Sequence, residues 1–241
     1  GAIACNTPNQ AVNFQKADSA KIKAWRVGTV EQPILQKRGD DLRIDWGYFY
    51  LALDSNAKGS LTANTADASR AAFMADGKLP APAAASSLEN NDRNDTVLAC
   101  TVNLDSTSGK MGSGWMLLAY DDLYSIQYMR KNLRPYWRRN GWEAADLLKA
   151  SAQDYASLQK RCVAFDNELM ADLAKVGGEN YANLGALAYR QCFAAGKIVA
   201  DANGQPLQFC KENHSNGCIS TSDVFYPMSP QFLLFGPSLA K

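Results

Sequence analysis

The sequence contains a single histidine, His214, and no apolar run approaches the roughly 20 residues that a membrane-spanning helix needs. The formal net charge is only +1, so no basic field indicates a nucleic acid partner. Six cysteines occur without CxxC spacing, and no glycine-rich phosphate loop is present. These absences argue against metal-finger, nucleotide-binding and integral-membrane proteins. We therefore expect no cofactor, no metal site, no nucleic acid partner and no membrane span.

The first residues, GAIACNTPNQ, include no Met, no basic region and no hydrophobic segment of the kind found in a signal peptide. Gly1 resembles a residue left after removal of a purification tag. The chain stops just after the apolar segment LLFGPSL. We expect a piece of a longer protein, in which helical faces meant to be buried are exposed. That exposure predicts a homodimer formed through the helical half, or poor solubility.

The sequence pattern changes character near residues 134–135. Before this point, short runs rich in aromatic and β-branched residues alternate with clusters of Gly, Asn, Asp and Ser, which is typical of antiparallel strands. These runs are KAWRVGTV, LRIDWGYFYLALD, RAAFMA, TVLACTVNLD and GWMLLAYDDLYSIQYM. Residues 79–95 read as a long loop. Residues 1–133 are therefore predicted to be an antiparallel β-sandwich portion.

After the change the pattern is helical. Apolar residues spaced by three and four predict a helix over residues 142–176, which Gly177–Gly178 would end, and a second helix over residues 180–195. KIVADANGQPLQF predicts a β-hairpin, and Ser229–Pro230 would begin a short helix, QFLLF. The predicted fold class is thus a two-part α+β chain. Residues 134–241 would be the start of a domain of helical hairpins of the (α/α)6 toroid type.

The segment KENHSNGCISTSDVFYP, residues 211–227, is the first place to look for a polar active site. It combines the only histidine with carboxylates, amides and hydroxyls between two well-patterned apolar segments, as functional loops do. Glu212 and Asp223 are the catalytic candidates, because two carboxylates can act as general acid and base or position a water. Alternatively, Asp223 caps a turn. Cys210 and Cys218 flank the start of the loop, either as a disulfide or as two buried thiols.

Arg190 lies in a mostly apolar helix, where it either forms a fork on a substrate carboxylate or ties the helix to a neighbouring loop. The residues assigned to substrate binding are Arg190, Asn213, Ser215, Asn216 and Tyr181. Several aromatic residues would suit sugar platforms, although core packing explains most of them better: Trp46, Tyr48, Trp115, Trp137 and Trp142.

Three segments together resemble the glutaminase A family. They are RGDDLRIDWGYFYLA, ENYANLGALAYRQCFAAGKIVADANGQP and FCKENHSNGCISTSDVFYPMSPQFLLFGPSL, in that order along most of the chain. The family contains large proteins of fungi and bacteria, many bacterial members being of unknown function. The resemblance implies a β-sandwich followed by a six-hairpin toroid, and a secreted or periplasmic location.

The resemblance also implies a small-molecule substrate and hydrolysis of the side-chain amide of L-glutamine to glutamate and ammonia. Such a site must stabilise an oxyanion and hold the substrate's α-carboxylate and α-ammonium. We expect Arg190 to hold the carboxylate, and Glu212 or Asp223 to hold the ammonium or activate water. A toroid-type glycoside hydrolase, with paired carboxylates, and a non-catalytic binding or structural module are the alternatives.

Overall fold

A computed structural model of the chain describes residues 11–19, 21–36, 46–84, 87–89, 96–104, 112–211 and 218–239. They form two compact units. One consists of the described residues within Gly1–Gln36, Arg43–Leu123 and Trp142–Ala152. The other consists of those within Tyr124–Gly141 and Gln153–Lys241. The single boundary predicted between residues 133 and 134 is not tested by this division and stays a prediction.

The first unit is built from antiparallel strands. Its elements are β1 (Ala11–Lys16), β2 (Ile22–Thr29), β3 (Tyr48–Asp54), β4 (Gly59–Thr65), α1 (Ala66–Asp76), β5 (Ser87–Glu89), β6 (Thr96–Val102) and β7 (Met116–Asp121). The strand order β5-β1-β2-β3-β7 gives a five-stranded sheet, and β4 pairs with β6 in a second sheet. Between the sheets lies a core of Val12, Phe14, Trp25, Val27, Leu51, Ala63 and Leu98. The predicted β-sandwich portion is confirmed.

The opposite face of the five-stranded sheet is also covered. Side chains of β2 and β3, such as Ile22 and Tyr50, pack against Ala144 and Leu148 at the start of the long helix α2 (Ala144–Ala194). Burying each large apolar side chain contributes about 1.5–3 kcal/mol before the cost of ordering it. Three layers therefore hold the unit together: the small sheet, the large sheet and the first turns of α2.

One strand prediction in this unit is wrong. RAAFMA lies within α1, which begins after Thr65, whose side chain accepts a hydrogen bond from the Ala68 N–H at 3.3 Å. The helix ends at Gly77 in the left-handed conformation. Alanine-rich composition and a cap at each end favour a helix over the strand that Phe73 suggests. The predicted loop at residues 79–95 also contains the short strand β5, and residues 85–86 and 90–95 of it lie outside the described part.

The second unit contains two hairpins of strands, a helical hairpin and a further helix. Its elements are β8 (Ile126–Tyr128), β9 (Lys131–Leu133), a 3-10 helix (Tyr136–Asn140), most of α2, β10 (Gly196–Ala200), β11 (Pro206–Cys210), α3 (Ser222–Phe235) and a 3-10 turn (Pro237–Leu239). Strands β8 and β9 share a small core with β10 and β11, formed by Ile126, Leu133, Val199 and Phe209. The α+β fold class, antiparallel sheets followed by helices, is confirmed.

The helix α2 is broken at Gly178, as Gly177–Gly178 predicts. Gly178 has φ 79° and ψ −176°, a conformation open essentially to glycine alone. The two arms fold back on each other: the rings of Phe165 and Tyr189 lie 5.5 Å apart, and a Cβ on Gly185 would be 3.1 Å from Leu173. The arms are residues 144–177 and 179–194, and from residue 153 onward they form a helical hairpin.

The β10–β11 hairpin is confirmed, with Gly204 at φ 74° in its turn. The start predicted for the last helix is wrong. Helix α3 begins at Ser222 and contains both Pro227 and Pro230, where Ser229–Pro230 was expected to be its first turn. Pro230 has no N–H, so the Tyr226 carbonyl lacks its usual helical donor. The Ser229 hydroxyl donates a hydrogen bond of 2.8 Å to that carbonyl instead.

Candidate functional site

The polar segment predicted to carry the chemistry emerges from the end of the β10–β11 hairpin. Residues 212–217 lie outside the described part of the chain, and with them four site candidates, Glu212, Asn213, Ser215 and Asn216, and the sole histidine, His214. The residues on either side of positions 212–217 are held together. Lys211 forms an antiparallel bridge with Ile219, and the Ser220 N–H donates 2.8 Å to the Cys210 carbonyl.

The two residues just before α3, Ser220 and Thr221, carry backbone strain and a buried hydroxyl. Ser220 has φ 57°, a left-handed conformation that costs a non-glycine residue energy. Thr221, at the N-cap of α3, makes no capping hydrogen bond with its side chain, and its Oγ1 is buried without a partner among the described residues. Threonine at an N-cap normally accepts from the helix. The N-terminal amides of α3 are therefore not capped by this hydroxyl.

Asp223 lies in the first turn of α3 and is exposed. A carboxylate at this end of a helix is favoured by the helix dipole. The residue four positions later is Pro227, which has no N–H, so the main-chain carbonyl of Asp223 also lacks its i+4 helical donor. One residue of the polar segment thus presents two kinds of acceptor, a carboxylate and a carbonyl.

A small apolar cluster, here called the Cys210 cluster, connects the elements that carry the site candidates. It consists of the buried side chains of Cys210, Met228 and Phe232 with Cys192, Phe193, Val224 and Leu239 packed against them. Arg190 lies two residues before Cys192, and Asp223 immediately precedes Val224. Segments carrying an arginine, a carboxylate and both ends of the polar segment therefore meet around one cluster.

Arg190 is exposed and has no ion-pair or hydrogen-bond partner within the described part of the chain. The alternative that it ties the helix to a described loop is therefore not observed. Tyr181, 46% exposed, packs its ring beside Gly177 at the break of α2. Tyr181 and Arg190 are nine positions apart in the same helical arm, which places them roughly 13 Å apart along the axis and on opposite sides. The structure does not bring these two candidates together.

Sequence reasoning missed two glutamines near the same cluster. Both side-chain amide atoms of Gln208 and the Nε2 of Gln231 are buried, and none of them has a hydrogen-bond partner in the part of the chain that the structure describes. Gln208 lies on the same face of β11 as Cys210, and Gln231 lies one turn after Met228 in α3. The Sγ of Cys210 and the Sδ of Met228 are 3.6 Å apart, so these faces are the packed ones.

An unpaired buried amide costs about 1–3 kcal/mol, so each such group calls for a water or a ligand as partner. The only sequence signal for such an unpaired amide was a glutamine between Leu207 and Phe209 in an otherwise apolar strand. That pattern indicates burial of its neighbours but does not reveal whether the amide itself finds a partner.

Burial sets the protonation of two groups beside the cluster. It raises the pKa of the Cys210 thiol, an effect to which Cys192 adds, so Cys210 is a protonated packing residue and a poor nucleophile. Cys210 is a free thiol, so no disulfide joins it to Cys218. Burial, and secondarily the charge of Asp166, raises the pKa of Tyr189, which keeps its phenol a hydrogen-bond donor.

No helix in the described ranges is both long and apolar enough to cross a membrane. Within those same ranges, no three His, Cys, Asp or Glu side chains are grouped so that they could hold a metal ion. The chemistry available around the Cys210 cluster is therefore that of an arginine, a carboxylate, amides and hydroxyls.

The family model described as "Domain of unknown function (DUF5127)" matches residues 1–172, and the model described as "Glutaminase A six helical-hairpin domain" matches residues 178–241. The chain belongs to the glutaminase A family. The second match begins at the break of α2 and includes the second helical arm, the β10–β11 hairpin and α3.

Two curated relatives of this family member are similar in sequence. "Glutaminase A" of Aspergillus oryzae is 30% identical over 207 residues, which cover 82% of this chain and 29% of the relative. A protein named "Probable glutaminase" of Arthroderma benhamiae is 30% identical over 105 residues, 44% of this chain and 12% of the relative. The chain thus spans less than a third of either relative. No solved structure matches it.

Proposed function

We propose that this family member hydrolyses the side-chain amide of L-glutamine, giving L-glutamate and ammonia. The observation that carries the proposal is similarity over 82% of the chain to a relative named Glutaminase A. Water adds its oxygen to the side-chain carbonyl carbon, the C–N bond breaks, and a proton goes to the departing ammonia. The substrate brings an α-carboxylate, an α-ammonium and a neutral amide that must each find a partner.

Arg190 suits the α-carboxylate, because an exposed guanidinium with no partner in the described chain can form a bidentate pair. Asp223 suits the α-ammonium, because its carboxylate and its donor-less carbonyl both accept hydrogen bonds. Glu212 remains the candidate for activating water, on the sequence argument alone. The amides of Gln208 and Gln231 and the Thr221 hydroxyl, which have no partner among the described residues, would supply neutral partners for the amide of the substrate.

The test is ammonia and glutamate release from L-glutamine by the full-length protein that the gene encodes. Arg190→Gln should raise KM, lowering kcat/KM by about 10- to 100-fold, since a charge-assisted pair is worth about 1.5–3 kcal/mol. Asp223→Asn should act in the same direction, and Glu212→Gln should lower kcat instead. Asp67→Asn is the matched control for Asp223, because Asp67 is the acidic residue in the first turn of α1.

Arg161→Gln, at an exposed position in the first arm of α2, is the control for Arg190. Unchanged activity in both controls with losses in the three variants would support the assignment. If the folded full-length protein releases no ammonia, the glutaminase proposal fails and glycosides become the substrates to screen. If it releases ammonia and the three variants do so equally well, the activity stands but its site lies elsewhere.

We also propose that the protein acts in a secreted or periplasmic location. The proposal is based on the family resemblance. Fractionation of the native organism, with immunodetection of the protein in medium, periplasm and cytoplasm, tests it. Recovery in the cytoplasmic fraction alone would contradict it.

A further inference from the structure

The first unit contains a cavity that plays no part in the proposed glutaminase site. It has a volume of about 450 Å³ and lies where the ends of β3, β6 and β7 meet the β3–β4 turn. We call it the sandwich-end cavity. Roughly 300–1,000 Å³ is the usual size of a small-molecule site. Its polar and aromatic lining comes from Asp54, Asn56, Lys58, Asn103, Ser113 and Trp115.

The walls of the cavity are fixed by backbone hydrogen bonds. The carboxylate of Asp54 accepts from the Asn56 N–H at 2.8 Å, which closes the β3–β4 turn. The Asn103 N–H donates to the Lys58 carbonyl at 2.6 Å, which ties the end of β6 to the same turn. Gly114 approaches Val102 closely enough that a Cβ on it would lie 3.1 Å from that side chain. The backbone that carries the polar side chains is therefore held in place by hydrogen bonds and close packing.

Three of these polar side chains are exposed to solvent. The amides of Asn56 and Asn103 and the hydroxyl of Ser113 make no hydrogen bond to any described residue. Each amide offers a donor and an acceptor side by side, the geometry that pairs with two neighbouring hydroxyls of one molecule. Beside them, Trp115 is only partly buried, whereas Trp25 and Trp46 are 8% and 6% exposed and belong to the interior.

We propose that the sandwich-end cavity binds a neutral saccharide. A sugar has one apolar face of C–H groups, which packs on an indole ring, and a rim of hydroxyls, which pair with amides and a carboxylate. Trp115 would supply the indole ring. Asn56, Asn103 and Asp54 would supply the amides and the carboxylate. Asp54 and Lys58 are of opposite charge, so the lining carries no net charge that selects an anion or a cation. The site would bind sugar independently of any hydrolysis in the second unit.

Saturation-transfer NMR and isothermal titration of the full-length protein with cellobiose, maltose, lactose and N,N′-diacetylchitobiose test the proposal. We expect saturable binding of at least one of these disaccharides. Trp115→Ala should weaken that binding at least tenfold, Trp115→Phe should retain most of it, and Asn103→Ala should weaken it. Trp142→Ala is the matched control, since Trp142 is 38% exposed and does not line the cavity. Circular dichroism of each variant establishes that it is folded.

Absence of binding by all four sugars would overturn the proposal. So would binding that survives Trp115→Ala and Asn103→Ala. L-glutamine is included as a charged comparison ligand, and its binding in this cavity in place of sugars would overturn the saccharide assignment. This experiment measures sugar binding and not ammonia release, so failure of the glutaminase proposal would not change its outcome.

Discussion

The Sγ of Cys210 lies 3.6 Å from the Sδ of Met228, which joins the last residue of the β10–β11 hairpin to the middle of α3. Both side chains are buried, at 4% and 5% exposure. The polar segment connects these two elements, so the contact fixes how far apart its ends can be.

Replacing Met228 should destabilise the second unit. Met228→Ala leaves a cavity in the Cys210 cluster and should lower the free energy of unfolding by about 2–5 kcal/mol, measured by urea denaturation. Leu234→Ala on the same helix is the control, because Leu234 is 74% exposed and should change stability by no more than about 0.5 kcal/mol. Equal effects of the two substitutions would contradict the packing described for α3.

Gly178 should resist substitution for a conformational reason. With φ 79° and ψ −176°, an alanine there is strained by about 1–3 kcal/mol, although nothing lies within 4 Å of the added Cβ. Thermal and urea unfolding of Gly178→Ala measure this loss. Ala174→Ser, on the exposed side of the first arm, should cost only about 0.5 kcal/mol. A Gly178→Ala protein as stable as the parent would mean that the arms do not turn at this residue.

Tyr189 should make the stability of the second unit fall at high pH. Burial, with Asp166 as a lesser cause, raises the Tyr189 pKa in the folded state above the roughly 10 of an unfolded tyrosine. The folded state then holds a proton that the unfolded state has lost, so stability is fully present below about pH 10 and decreases as pH rises through the folded pKa.

Urea denaturation at a series of alkaline pH values tests this for the parent, Tyr189→Phe and Asp166→Asn. Tyr189→Phe should flatten the alkaline part of the profile, and Asp166→Asn should lower the pH at which the Tyr189 phenol ionises in an absorbance titration. Asp154→Asn, at an exposed position on the same arm, is the control. A profile in Tyr189→Phe identical to that of the parent would show that another group is responsible.

The helical elements should make the 241-residue chain self-associate. Val176, Leu184 and Leu234 are 75%, 66% and 74% exposed, an unusual state for aliphatic side chains in helices. Sedimentation velocity over a range of concentrations should show a dimer or larger species, and Leu184→Lys with Leu234→Lys should shift it toward monomer. Met74→Lys is the control, since Met74 is 86% exposed in the first unit. A strictly monomeric parent chain would refute the prediction.

Much of the fold was predictable because its signals are local. Asn203–Gly204 marks the hairpin turn and Gly177–Gly178 the break of α2, since both need backbone conformations that few residues adopt. The family was recognisable from long segments in order. Two local signals misled: Phe73 made α1 look like a strand, and Pro227 concealed the first turns of α3. Helix α3 nevertheless contains Pro227, and only the Asp223 carbonyl loses its helical donor as a result.

The candidate site was less predictable because its features arise from packing. Arg190 and Asp223 could be chosen by residue type, but the packing of their neighbours Cys192 and Val224 into one cluster depends on contacts between elements far apart in sequence. The unpaired amide of Gln208 could not be seen at all, since its neighbours in sequence suggest an ordinary buried strand. Tyr181 was chosen by type and lies on the opposite side of the helix from Arg190.

The contacts between the arms of α2 also limit how the sequence can change in length. Phe165 meets Tyr189, and Leu173 meets Gly185, across the turn at Gly178. One residue inserted into or deleted from either arm between these pairs would rotate every later side chain by about 100° and carry it about 1.5 Å along the axis. The two pairs could then not both form, because the spacing between their members along one arm would no longer match the spacing along the other. Length variation among family members should therefore be absent between residues 165 and 189 and concentrated in the connections outside them.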